Sequence, residues 1–341
     1  MTMDPVEYEM LRHMWFPVAR VADLANGVAS GSILGEELVV YGDGGSVTVA
    51  EGFCPHRGVA LRLGRLHEGA LECPYHGWLF EAGSGRCTSV PSLPPGRSRP
   101  HAVLRTYPAE IAYGLVWSCL DDPFLPLPRL PEYVDETWQL GAGEPYTLSC
   151  GMRQLTENFR DKAHFPFVHA DTMGEVDKVA ESYRIARDGW RLGWSSRLGS
   201  EGLPEELAED FSHRLDYRIT LPMCASICVS SPSGGRRLVA QLATPVSADG
   251  LRVRQFWLAG TDAVSCPLPE RAFTGPSGVT SRGVSRLLYE TLRVRFEGGR
   301  DGCLTLRARR WLIRGSFLAP IQEPARVDIA HRYYFVNGGL V

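Results

Sequence analysis

The first third of the chain alternates short apolar runs with glycine-rich polar breaks. Ser32–Gly35, Glu37–Tyr41 and Ser46–Val49 are strand-like, and Gly42–Gly45 between the last two is a hairpin turn. Trp78–Phe80 and Cys87-Thr88 flank a second polar turn, and Leu104–Tyr107 and Leu115–Cys119 close the set. Trp15 and Phe16 open it as core anchors. Residues 15 to about 120 are therefore expected to form an all-β domain. Four prolines among residues 121–132 forbid a helix or a central strand, so a semi-rigid linker is expected there. The expected division is 1–120, a linker over 121–143, and a second domain over 144–341.

Beyond the linker the pattern changes. Residues 144–151 are β-like, and a helix is expected from about Met152. Strand-like runs follow at 182–186, 190–194, 214–220, 225–229, 237–244 and 251–258, several alternating as a half-buried sheet does. Residues 265–283, rich in Pro, Gly and Ser, are expected to form a long loop. Ser285–Phe296 and Pro324–Phe335 are expected helices. An antiparallel sheet with helices packed on it makes the class α+β.

Composition narrows the function. A chain of 341 residues suits two domains. A net charge of −3 argues against a nucleic-acid binder, which carries a basic face. No run of eighteen apolar residues occurs, so no membrane span is expected. The acidic start, Met1–Glu7, lacks the regions of a signal peptide, so a cytoplasmic place is expected. Cys87, Cys119, Cys150, Cys224, Cys228, Cys266 and Cys303 show no ligand pattern and are expected to be small buried hydrophobes. Lys162 and Lys178 are the only lysines against 34 arginines, a compositional bias.

The remaining two cysteines carry chemistry. Cys54 and His56 precede Cys73 and His76 by sixteen intervening residues, and two thiolates with two imidazoles can close around one inorganic centre. Structural zinc and a Rieske 2Fe–2S cluster are the candidates. Zinc sites space each ligand pair more widely than the single residue between Cys54 and His56. A Rieske centre binds one iron with two Cys and the other with two His, one of each from each loop. Gly58 and Gly77 let both loops turn tightly, and Tyr75 and Trp78 are placed to pack near the cluster.

A second constellation runs from Glu157 to His169. On a helix, Asn158, Asp161 and His164 fall three residues apart along one face. Phe165 precedes Pro166, so the helix is expected to weaken there and to let His169 approach His164. Two neutral imidazoles and a carboxylate make the facial triad that binds Fe(II) and leaves positions open for oxygen.

With both motifs in view, the chain resembles the oxygenase (alpha) component of the Rieske non-haem iron oxygenases over nearly its whole length. That family's signature, Asn-x-x-Asp-x-x-His followed by His five positions on, is matched in order by Asn158, Asp161, His164 and His169. The resemblance implies a Rieske β domain, then a catalytic domain whose antiparallel sheet wraps a long helix (helix-grip, START-like). It implies Fe(II) on His164, His169 and a later carboxylate, for which Asp301 is chosen with Glu297 as competitor. It implies a ring-shaped homotrimer in which one subunit's cluster faces its neighbour's iron, with Asp161 bridging and Asn158 in the same motif. No Gly-rich dinucleotide fingerprint follows a strand, so a separate reductase or ferredoxin is expected to deliver electrons. The expected reaction is activation of O2 to oxidise a small organic substrate, by monooxygenation (hydroxylation or demethylation). Ring dihydroxylation, a Rieske electron carrier with a non-catalytic binding domain, and a zinc-stabilised interaction protein are the alternatives. Met223, Ile227 and Phe256 are candidate lining residues, with core filling the stronger reading of each. The arginines from Arg286 to Arg314 are read as solvated helix faces before a docking face or an anion grip.

Overall fold

The structure, a computed structural model, describes residues 3–168, 178, 183–198, 213–231 and 234–262. It divides into two compact units. The first runs to Leu127 and takes in Ala243–Gln255; the second comprises Pro128–Leu242 and the described residues from Phe256.

The first unit opens with α1 (Pro5–Arg12), started by Asp4, whose carboxylate accepts the Val6 N–H at 2.8 Å. Eleven short strands follow: β1 (Phe16–Arg20), β2 (Val28–Ile33), β3 (Glu36–Gly42), β4 (Val47–Glu51), β5 (Arg65–His67), β6 (Ala70–Glu72), β7 (Leu79–Phe80), β8 (Cys87–Ser89), β9 (Thr106–Tyr107), β10 (Ala109–Ala112) and β11 (Leu115–Ser118). They pair as β1-β11-β10, β2-β3-β4-β9 and β5-β6-β7-β8, all antiparallel. The predicted hairpin joins β3 to β4, and Asp43 Oδ1 accepts both the Gly45 and Ser46 N–H groups at 3.0 Å. Val39, Tyr41, Ala50, Leu61, Leu71, Phe80 and Leu104 form one buried cluster that includes Cys54, Cys73 and Trp78. Burying each large side chain of this set stabilises the unit by about 1.5–3 kcal/mol, so the loops that carry Cys54 and Cys73 grow from a packed core.

Residues expected to link the domains have definite places. Asp121 takes Arg12 Nε at 2.6 Å and Arg105 Nη2 at 2.9 Å, and Phe124 stacks on His13 with centroids 3.9 Å apart. Further on, Trp138–Ala142 is strand β12, paired antiparallel with a strand over Val253–Asp262.

The second unit continues with β13 (Tyr146–Leu148), α2 (Met152–Arg160), α3 (Phe165–Val168), β14 (Ala186–Asp188), β15 (Arg191–Leu198), β16 (His213–Thr220), β17 (Cys224–Ser230), β18 (Arg236–Pro245) and β19 (Val253–Asp262). The eight strands make one sheet in the order β12-β19-β18-β17-β16-β15-β14, with β13 paired to β19. Trp194, Tyr217, Ile227 and Val239 lie side by side across β15 to β18. Leu215, Tyr217 and Ile219 point to the face covered by Phe159 of α2 and Phe165 of α3. On β17 and β18, Cys228 and Leu238 instead pack against Trp138. Arg218 pairs there with the buried carboxylate of Glu132, Nη1 to Oε2 at 3.2 Å.

The α+β class is the one expected. The strand expected over 182–186 is instead β14, starting at Ala186, because its pairing with β15 is measured back from the turn at Gly189-Trp190. Cys119, Cys150, Cys224 and Cys228 are buried free thiols and Cys87 is half-buried, while Cys266 and Cys303 lie outside the described residues. Also outside them lie the expected helices 285–296 and 324–335, the loop 265–283 and the arginines from 286 to 314. Among the described residues no helix is long and apolar enough to cross a membrane.

Candidate metal centres

Two loops with the same backbone circuit meet in the first unit. In one, Cys54 N–H donates to Val59 O at 2.9 Å and Gly58 N–H returns to Cys54 O at 2.8 Å. In the other, Cys73 N–H donates to Trp78 O at 2.9 Å and Gly77 N–H returns to Cys73 O at 3.1 Å. Gly58 and Gly77 have φ of 68° and 67°, the left-handed region that a side chain resists. Each loop thereby turns its Cys inward and its His outward.

The thiols of Cys54 and Cys73 are 3% and 2% exposed. Burial, against relief from the His56 N–H, pushes the Cys54 thiol up to about 11, and Cys73 adds to the shift. Bound metal would have to displace that proton. The His56 and His76 rings lie 4.6 Å apart, edge to face. Desolvation, then His76 and Arg57, lowers the His56 pKa, which favours the neutral, ligating form. Trp78 stacks on His56 at 4.5 Å, nearly parallel, and Tyr75 lies on His76 at 3.9 Å while 63% exposed. Two adjacent buried thiols and two adjacent outer imidazoles fit a 2Fe–2S cluster in which the two Cys would hold one iron and the two His the other, with the cluster's own sulfides shared by both.

Family comparison agrees with this geometry. Residues 14–108 match the Rieske [2Fe-2S] domain. This part of the chain is a Rieske domain. Over about half its length the chain is similar in sequence to demethylases and an oxygenase subunit. It is 33% identical over 175 residues to methylxanthine N3-demethylase NdmB of Pseudomonas putida, covering 48% of this chain and 49% of the relative. It is 32% identical over 197 residues to the vanillate O-demethylase oxygenase subunit of a Pseudomonas species, covering 52% and 58%. The matched stretch thus spans about half the length of these relatives. The solved structure of Pseudomonas putida CBB5 NdmA with caffeine superposes with a TM-score of 0.72 at 22% identity, over 90% of this chain and 91% of that one. At that identity the likeness is one of fold, and it extends well past the Rieske domain.

In the second unit, the predicted helix starts at Met152 as expected but ends earlier than expected. It stops at Arg160, and Asp161 caps it in extended conformation. Asp161 Oδ1 accepts the Ala163 N–H at 2.9 Å, a local bond that competes with the next helical turn. Pro166 does not break the helix; it sits in the first turn of α3, where a missing N–H costs nothing. Asn158 therefore lies in the last turn of α2, Asp161 at its cap and His164 in the turn beyond, rather than along one helix face. The bend brings His164 Nδ1 to 3.5 Å from Asp161 Oδ2, with the two side chains 14% and 24% exposed. The His164 ring meets Phe165 edge-on at 4.9 Å. His169, Asp301 and Glu297 lie outside the described residues.

Met223 approaches α2, its sulfur 2.5 Å from Thr156 Oγ1, and Ile227 packs on the cluster of Phe159 and Tyr217. Phe256 is fully buried. Sequence reading did not anticipate the ring stack beside the bend. Trp194 lies flat between Tyr183 at 5.7 Å and Tyr217 at 4.7 Å, and Phe159 meets Tyr217 edge-on. The available signal was an aromatic residue at inward positions of consecutive strands. A third group, Glu9, His13 and Asp121, also brings ligand-type atoms together, but two guanidiniums already hold Asp121, and His13 Nδ1 lies 2.7 Å from Asp122 O.

Proposed function

We propose that this chain is the oxygenase component of a Rieske-type non-haem iron monooxygenase that removes a methyl group from, or hydroxylates, a small aromatic or heteroaromatic molecule. Cys54, His56, Cys73 and His76 hold the 2Fe–2S cluster, and His164, His169 and Asp301 hold a mononuclear Fe(II). The observation that carries the reading is the matched pair of loops, with two buried thiols and imidazoles 4.6 Å apart, in a chain that also sets His164 against Asp161. The activities of these relatives, demethylation of a methylxanthine and of vanillate, favour demethylation over ring dihydroxylation.

When bound, the mononuclear iron supplies the activation of dioxygen. The chain's own residues set the stage for it. Asp161 faces Nδ1 of His164 and favours the tautomer that keeps Nε2 as the ligating lone pair. Its other oxygen, anchored by the Ala163 N–H, keeps the carboxylate from rotating. Trp78 covers His56 and would shield that side of a bound cluster from water, while Tyr75 and His76 stay accessible. Electrons come from a separate reductase or ferredoxin, and a cytoplasmic homotrimer, with Asp161 linking one subunit's cluster to its neighbour's iron, completes the proposal.

Anaerobically prepared protein is expected to contain about three irons per chain and to show the spin-resonance signal of a Rieske centre. His164→Ala should lose about one iron and all substrate oxidation, yet keep that signal. Wild-type protein with two irons and no further binding of Fe(II) would reduce this chain to an electron carrier.

A further inference from the structure

Among the described residues, three buried polar atoms of the second unit have no hydrogen-bond partner and no part in the scheme above: Trp138 Nε1, which packs against Cys228 and Leu238, and, on the other face of the sheet, the Tyr217 hydroxyl and Gln241 Oε1. Tyr217 and Gln241 are only 2% exposed. A buried hydroxyl or amide oxygen without a partner costs stability, and folded chains retain few of them. Phenylalanine at 217 or leucine at 241 would fill similar space without that cost.

Register puts the two on the same face of the sheet. Tyr217 opposes Ile227, Ile219 opposes Ala225, and Ala225 opposes Gln241. Residues directly opposite on neighbouring strands share a face. Gln241 is therefore two strands and two residues away from Tyr217, which places their Cα atoms about 12 Å apart by ordinary strand spacing and rise. Ala225 and Ile227 lie between them and offer an apolar floor.

The same face carries the His164 bend. Tyr217 packs with Phe159 and Phe165, the chain neighbours of Asn158 and His164. Its ring is held flat against Trp194, at 4.7 Å and 7°, so its hydroxyl has a fixed direction. Burial, then the nearby Tyr183 and Asp161, raises the Tyr217 pKa, so the phenol keeps its proton and is a donor.

We propose that the Tyr217 hydroxyl and Gln241 Oε1 are the polar contacts by which this unit selects its substrate, a planar aromatic or heteroaromatic molecule with a hydrogen-bond acceptor on one edge and an N–H or O–H donor on the other. This rests on the monooxygenase reading and names the substrate class for it. Few well-placed polar groups on an apolar wall orient small ligands in this way. A site built to receive a donor discriminates strongly against the analogue that lacks it.

The test uses the full iron-loaded chain and two probe pairs: theophylline against caffeine, and vanillate against 3,4-dimethoxybenzoate. In each pair the second member has the donor methylated. Wild type is expected to bind a donor-bearing member at least about tenfold more tightly than its methylated partner. Gln241→Leu should erase that preference, and Tyr217→Phe should weaken both members about tenfold. Without any probe, both variants should melt at or above the wild-type temperature, because each removes an unpaired buried atom. Equal binding within both pairs, no binding of any probe, or melting below wild type would overturn the proposal. Iron content and the cluster's spin-resonance signal, read on the same samples, report on the monooxygenase reading independently of these substitutions.

Discussion

The two candidate iron sites are built in opposite ways. Around Cys54 and Cys73, each loop closes on itself within six residues, through its own backbone hydrogen bonds and one left-handed glycine. Around Asp161 and His164, the chain uses the capped end of a helix, and the proposed ligand set reaches on to His169 and Asp301. The first site is a local device repeated twice on a stable core; the second, as proposed, would draw its ligands from distant segments. Local devices leave sequence signatures with fixed spacing, whereas assemblies leave only their nearest members in register.

The strongest way to separate the two is Cys73→Ser. It should remove the cluster's colour and spin-resonance signal and stop reductase-driven turnover, while Fe(II) still titrates into the second unit. Survival of the signal would break the claim that the two loops share one cluster.

A finer comparison is within the first site. A Cβ added at Gly58 meets nothing within 4 Å, whereas at Gly77 it lies 3.2 Å from Pro91 Cγ. Left-handed backbone alone should cost Gly58→Ala about 1–2 kcal/mol, and Gly77→Ala should lose more, read by denaturant unfolding of the loaded protein. Equal losses would mean that Pro91 gives way freely and the loops are equivalent in packing as well as in backbone.

The smallest effect concerns acid. Arg12, chiefly through its hydrogen bond, holds the Asp121 carboxyl below the ordinary range, with Arg105 adding to it. The folded chain thus binds that proton less readily than the unfolded chain. The stabilisation is complete above the ordinary Asp value of about 3.9 and fades as pH falls through the lowered folded value. Asp121→Asn should cost about 1 kcal/mol or less at neutral pH and flatten the melting temperature's decline below pH 4. An unchanged acid slope would show that the two guanidiniums contribute nothing to the first unit.

Much of the fold was legible because its causes are local. Asp43 followed by glycines specifies the β3–β4 turn, and alternation in Arg214–Thr220 specifies which residues of β16 face inward. The helix end was misplaced because proline is a conspicuous breaker, while an aspartate that caps through its own side chain is not. Asp161 ends α2 by accepting the Ala163 N–H, and Pro166 is tolerated in the first turn of α3. The strand expected at 182–186 shifted for a related reason: hairpin register is counted from the turn at Gly189, and strand propensity cannot see that origin.

Residue identity and spacing alone determined the chemistry on offer: two thiols and two imidazoles in paired loops, and an Asn, Asp and His in one short segment. Those choices are written in neighbouring positions, so no knowledge of the rest of the chain is needed to read them. Tertiary structure decided that Trp194 lies between two tyrosines, that Tyr217 and Gln241 share a face with the His164 bend, and that both end in polar atoms unpaired among the described residues. Such neighbours meet only through strand order and register, which are settled by the burial of the whole sheet rather than by any stretch within it.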